Sequence, residues 1–148
     1  MDRLLGFLIK LFIFLSGFTK GLSRMGIGTY EEWTPGKKRK LLMVGYNGAR
    51  NTGADARVIA AVRQIKELFG ADEVSMTVLT LSEKALEGYF DDDVEILEIN
   101  SIFLKDLYKA CSSHHAAVLC EGSTLKSTFA DALSLFFCEA SGIMARQG

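Results

Sequence analysis

Cysteine, histidine, proline and excess charge are all scarce in this chain, and each scarcity closes off a class of function. The three cysteines, Cys111, Cys120 and Cys138, are odd in number and spaced unlike zinc ligands. They fall in apolar runs, so they read as reduced core residues of a cytosolic protein, not as a disulfide framework. His114 and His115 are the only histidines and have no ligand partner nearby in sequence, so no metal site is expected. The only proline and the only tryptophan lie within residues 25–40, MGIGTYEEWTPGKKRK, which read as a linker. The formal net charge is −1, with eight Lys/Arg against three Asp/Glu in residues 1–40 and nine against fifteen in residues 41–148. The two segments are thus +5 and −6. An acidic folded part argues against nucleic acid as a partner.

No hydrophobic run is long enough to cross a bilayer. The longest, Leu4 to Phe18, is fifteen residues interrupted by Gly6, Lys10, Ser16 and Gly17. As a helix it would be roughly 22 Å long, short of a hydrocarbon core of about 30 Å. Arg3, Gly6, Lys10, Gly17, Lys20 and Arg24 would line one narrow stripe of that helix, with large apolar groups around the rest, the pattern of an interfacial helix. Lys10 in the apolar centre and the lack of a small-x-small cleavage site before Gly21 argue against a cleaved signal peptide. Residues 1–24 are therefore expected to be a membrane-surface anchor or a helix that docks on a part of the protein outside this sequence, ahead of a signal sequence. The basic run Lys37 to Lys40 would add attraction to anionic lipid, or simply lead into a strand as solvated residues.

What is present is a chain of βα units. At 148 residues, 49% hydrophobic and 24% charged, the composition is that of one globular domain. The organising unit is LLMVGYNGARNTGADARVIAAVRQIKELFG, Leu41 to Gly70. Its apolar run, Leu41 to Val44, suits a strand covered on both faces. Gly45, Asn47, Gly48, Asn51, Thr52 and Gly53 then predict a turn. From Asp55 the spacing of Val58, Val62, Ile65 and Phe69 predicts one face of a helix ended by Gly70. A helix N-terminus behind such a loop offers N–H groups to an anion or polar ligand, although any βα turn needs glycine. Gly45, Gly48 and Gly53 match neither the dinucleotide fingerprint nor the lysine-containing phosphate loop.

Further strands are predicted at Val74 to Leu79, Val94 to Ile99 and Ala116 to Cys120. A short helix capped by Ser82 is expected through Phe90, and a second, with Leu104, Leu107, Tyr108 and Cys111 on one face, is expected to be capped by Asn100 or Ser101. Asp91, Asp92 and Asp93 read as a solvated turn, not a cation site. After the fourth strand a turn at Glu121, Gly122 and Ser123 leads to a helix with Phe129, Leu133, Phe136, Phe137 and Ala140 on one face. Four βα units predict a Rossmann-like parallel sheet of order 3-2-1-4 with helices on both faces. Strands 1 and 4 are then neighbours where the winding reverses, so both polar turns would line one crevice. Asn47, Asn51, Gly53, Asp55, Glu121, Ser123 and Lys126 are the candidate site residues, and ordinary helix capping would account equally well for Asp55 and Ser123.

GYNGARNTGADAR, Gly45 to Arg57, resembles the opening motif of the polysaccharide pyruvyl transferases, a strand leading to an Asn-x-Gly turn followed by acidic residues. VLCEGSTLKSTFADAL, Val118 to Leu133, is similar to the second conserved loop of that family. The resemblance covers residues 40–148. Ala54-Asp55 stands where the family has Asp-Glu, and Glu121-Gly122-Ser123 where it has a run of glycines, so the chain would be a divergent member. The resemblance implies the N-terminal half of a GT-B-like, two-domain enzyme of exopolysaccharide and cell-envelope biosynthesis, preceded by the amphipathic helix and the linker at 25–39. Such enzymes move a pyruvyl ketal from phosphoenolpyruvate to a sugar or lipid-linked saccharide, with loss of phosphate and without a resident cofactor. The C-terminal domain would supply basic residues for the donor. Asn47 and Asn51 would then bind sugar hydroxyls, and Asp55 or Glu121 would be general base or acid, since ketal formation must take and deliver a proton. Gly53 and Gly122 would admit close approach of the backbone, Ser123 would line the same turn, and Lys126 would stabilise charge. The expected location is cytoplasmic, peripheral on the inner face of the plasma membrane. Two other classes fit the same residues: a non-catalytic, membrane-associated α/β module binding a sugar or protein, and the N-terminal domain of a sugar-nucleotide glycosyltransferase.

Overall fold

The structure is a computed structural model that describes residues 7, 11, 14, 33–49, 52–99, 104–120 and 140–144. Strands β1 (Arg39–Val44), β2 (Val74–Thr80), β3 (Val94–Glu98) and β4 (Ala116–Leu119) form one sheet of order β3-β2-β1-β4. Every pairing is parallel, so the predicted order is the observed one. Helix α1 (Thr52–Phe69) joins β1 to β2, and helix α2 (Leu104–Ser112) precedes β4.

The two faces of the sheet carry separate cores because successive side chains alternate. Met43, Met76, Val78 and Val94 point to one face and pack with Val58 and Val62 of α1. Leu42, Val44 and Leu79 point to the other and pack with Leu107, Ala110 and Cys111 of α2, and with Ala140 and Ile143. Of the apolar spacing that predicts α1, Val58 and Val62 supply its buried face, while Ile65 is half-buried and Phe69, in the last turn at the rim of the sheet, is exposed; removing a fully buried valine or leucine of this kind from water contributes about 1.5–3 kcal/mol. The helix begins at Thr52 and ends before Gly70, whose N–H still bonds Lys66 O at 2.9 Å. Residues 140–144 are helical, in line with a helix expected over Ala140. The capping positions Asn100 and Ser101, and the apolar positions Phe129 to Phe137 of that last helix, lie outside the described residues.

The segment after β2 departs from expectation. No helix runs from Ser82 to Phe90; a single 3-10 turn, Glu83–Leu86, replaces it, and Ser82 makes no side-chain cap. The cap comes from another strand. Glu98, at the end of β3, accepts the Glu83 N–H at 2.7 Å, a charge-assisted bond that pins the turn's first residue. Gly88 then adopts φ +77, which ends any helical continuation. Asp91 to Asp93 form an exposed turn in which Lys66 meets Asp93 at 2.6 Å. That bond holds the Asp93 carboxyl below the usual carboxylate range.

At its lower end the sheet is trimmed by aromatic groups. The Arg39 guanidinium lies 4.6 Å from the Trp33 ring centre and 5.6 Å from that of Phe69, within the range of a cation–π contact.

Candidate functional site

The first polar loop leaves β1 at Gly45 and is tied chiefly to the end of β2. Asn47 is fully buried, and its Nδ2 donates to Leu79 O at 2.9 Å. Its carbonyl oxygen accepts the Leu81 N–H at 3.3 Å. The Thr80 hydroxyl lies 3.0 Å from both Asn47 O and Ser82 O, and accepts the Ser82 N–H at 3.1 Å. Gly48 follows with φ +71, and a Cβ there would press on Thr80 Oγ1 and stand 2.8 Å from Ser82 O. Only glycine fits both the dihedral and the space.

Asp55 closes the loop from the other side. It is buried in the first turn of α1, and its Oδ1 accepts the Gly48 N–H at 3.0 Å. The carboxylate therefore neutralises the positive end of the helix and holds the loop in one operation. Asn47 Oδ1 is buried and has no hydrogen-bond partner among the described residues. An acceptor left this way costs about 1–3 kcal/mol, and a donor reaching it would recover that.

Gly53 is exposed in the first turn of α1. Asn51, Glu121, Gly122, Ser123 and Lys126 lie outside the described residues. Their strand is placed, however: β4 pairs with β1 from Leu41↔Ala116 to Val44↔Leu119, and the Cys120 N–H continues the pairing to Val44 O at 2.9 Å. The chain thus leaves Val44 and Cys120 from the ends of neighbouring strands at the reversal of the winding. That is where open α/β sheets bind ligands.

Sequence reading passes over Thr80, which joins the first loop to the 3-10 turn. A polar residue closing a largely apolar strand is the available signal. It also considers His114 only as a metal ligand, whereas the structure places it in a hydrogen-bonded chain. Among the described residues no group of three His, Cys, Asp or Glu side chains is arranged to hold a metal ion. His114 is buried against the α2 face of the sheet, with Nδ1 2.6 Å from Ala110 O and 3.1 Å from Ser113 Oγ. Its Nε2 lies 2.8 Å from Thr77 Oγ1, which donates to Glu95 Oε2 at 2.9 Å.

Proton accounting constrains this chain. A carbonyl only accepts, so the bond to Ala110 O puts a proton on Nδ1. Thr77 has one hydroxyl proton and two acceptors, neutral His114 Nε2 and the Glu95 carboxylate. All three bonds exist together only when the group holds one more proton. Burial pushes the His114 pKa down, against the opposing pull of the Ala110 carbonyl and Glu95. The neutral ring is therefore favoured.

Comparison with protein-family models, with curated proteins and with solved structures finds no match.

Proposed function

We propose that this domain is the acceptor-binding half of a pyruvyl transferase-like enzyme of cell-surface polysaccharide synthesis. The supporting observation is the adjacency of β1 and β4, the two strands that precede the two motif sequences. In this reading the saccharide lies over the C-terminal edge of the sheet, between the loop at Asn47–Gly48 and the turn beginning at Glu121. Gly53 and Gly122 admit its close approach.

The roles of the loop residues divide. Asp55 spends one carboxylate oxygen on Gly48 N–H and Asn47 spends its amide on Leu79 O, so both shape the loop before they can serve a ligand. Asn47 Oδ1, which has no hydrogen-bond partner among the described residues, would take a donor such as a sugar hydroxyl once the loop opens to admit one. Glu121 is then the stronger choice for proton transfer, with Asn51, Ser123 and Lys126 lining the cleft. The donor, phosphoenolpyruvate, would be held by basic residues of a second, GT-B-like domain.

The same division of roles favours a second reading, a non-catalytic saccharide-binding module, since a loop braced by Asp55 needs no chemistry. Inorganic phosphate release from phosphoenolpyruvate, measured with and without pooled cell-surface oligosaccharides, separates the two. Acceptor-dependent release supports the transferase. Oligosaccharide binding with no release supports the module, and binding of a sugar nucleotide in place of either would replace both with a glycosyltransferase reading.

A further inference from the structure

We propose that Asn47 is a site of spontaneous deamidation that the β1–α1 loop holds shut, and that reaction there unseats the loop for good. Of the asparagines, at positions 47, 51 and 100, Asn47 alone is followed by glycine, and no aspartate precedes one. A side chain on the following residue shields that residue's main-chain nitrogen, and Gly48 has none. In the reaction Gly48 N attacks Asn47 Cγ. The N–Cγ bond forms, the Cγ–Nδ2 bond breaks, and Nδ2 leaves as ammonia with the proton from Gly48 N. Water then opens the cyclic imide at one or other carbonyl, giving aspartate or isoaspartate.

The closed loop blocks each step. Gly48 is buried and its N–H donates to Asp55 Oδ1 at 3.0 Å, and a charged acceptor of this kind resists removal of the proton. Asn47 Nδ2 donates to Leu79 O at 2.9 Å, which fixes the amide that must swing toward Gly48 N. Asn47 is fully buried, so the water needed for the second step has no path. The main chain is held as well, since Asn47 O accepts the Leu81 N–H and lies 3.0 Å from the Thr80 hydroxyl. Reaction therefore proceeds from the open loop, and its rate reports how often the loop opens.

The product cannot close again. Aspartate sets a carboxylate oxygen where Nδ2 had donated to Leu79 O, leaving two acceptors with no proton between them in a site closed to water. Isoaspartate reroutes the main chain through Cβ and Cγ, and the carbonyl that accepts from Leu81 becomes a free carboxylate. This inference is independent of the transferase reading, because it needs no ligand in the cleft.

The experiment incubates the full chain at mildly alkaline pH and follows each asparagine by peptide mass mapping, with isoaspartate detected by enzymatic methylation. In strong urea Asn47 should react ahead of Asn51 and Asn100. In buffer it should react more slowly than in urea by on the order of 100-fold. Asp55→Ala should raise the rate in buffer by on the order of 10-fold, the effect of losing one hydrogen bond to a charged group. Asp55→Asn keeps an acceptor without the charge and should raise it less, which separates loss of the bond from loss of the fold. Val94→Ala, a core change at the entry end of β3, should lower global stability and leave the rate in buffer unchanged. Asn47→Asp, made directly, should unfold at a lower urea concentration than the native chain. Four results would overturn the proposal: equal rates in buffer and in urea, no acceleration in Asp55→Ala, equal acceleration by Val94→Ala, or an Asn47→Asp chain as stable as the native one.

Discussion

Gly48→Ala tests whether the β1–α1 loop is seated on the end of β2. Two penalties apply to it. The φ of +71 costs an L-residue about 1–2 kcal/mol, and the added methyl meets Thr80 Oγ1 and the Ser82 carbonyl. Crowding of that kind typically costs about 1–3 kcal/mol, and displacing the Thr80 hydroxyl from Asn47 O removes a further bond of about 1 kcal/mol. Gly88→Ala is the matched control, with φ +77 and nothing within 4 Å of its added Cβ. It carries the dihedral cost without the contact, and the loss of unfolded-chain entropy is common to both variants. Urea unfolding should therefore show Gly48→Ala less stable than Gly88→Ala by about 2–4 kcal/mol with unchanged m-values. Adding Thr80→Ala to Gly48→Ala should recover part of the difference. Equal stabilities of the two single variants, within about 0.5 kcal/mol, would show that the loop does not rest on Thr80, and the placement of Asn47 would fall with it.

The lowered His114 pKa means that the unfolded chain takes up this proton more readily than the native one. Its contribution to stability should be complete above the ordinary histidine value of about 6.5 and decline as pH falls through that value toward the native one. A series of urea midpoints should show this decline, and His114→Gln should flatten it. Thr77→Val removes the one hydroxyl that lies within reach of both Nε2 and Glu95 and should cost about 1–3 kcal/mol, with less than additive loss when combined with His114→Gln. Burial pushes the Cys111 thiol up to about 12. At mildly alkaline pH, iodoacetamide should label half-buried Cys120 before Cys111, which should react only on unfolding, as peptide mass mapping would show.

Sheet order was legible because it rests on repetition. Four apolar runs separated by helical periodicities leave few parallel arrangements, and Val58 and Val62 declare the buried face of α1 by spacing alone. What escaped depends on contacts between distant residues. Ser82 has the chemistry of a cap, but Glu98, fifteen residues away, takes the Glu83 N–H. The first polar loop follows β1 as its glycines predict, yet its bracing on Thr80 and Leu79 is invisible to local pattern. The chain linking His114, Thr77 and Glu95 spans three elements, and no spacing rule joins them. The sequence shows Asn47 in a polar turn and Asp55 at the start of a helix, but it does not show their bonds to Leu79 O and Gly48 N–H. Those bonds depend on where β2 ends.

The adjacent histidines have a consequence for how β4 finds its place. Ala116 and Ala117 carry the same side chain, so a one-residue slip of this short strand would change little in the apolar pattern that ordinarily fixes alignment. The discrimination falls to the residues just before it. His115 accepts the Lys40 N–H on Nδ1 at 2.9 Å and donates its own N–H to Lys40 O at 2.8 Å, supplying a rung where β4 has not yet begun. His114, one residue earlier, engages Thr77 on the next strand but one. A slip breaks both attachments together, so the pair acts as a two-pin key that admits β4 in a single alignment and thereby fixes where the chain emerges at Cys120.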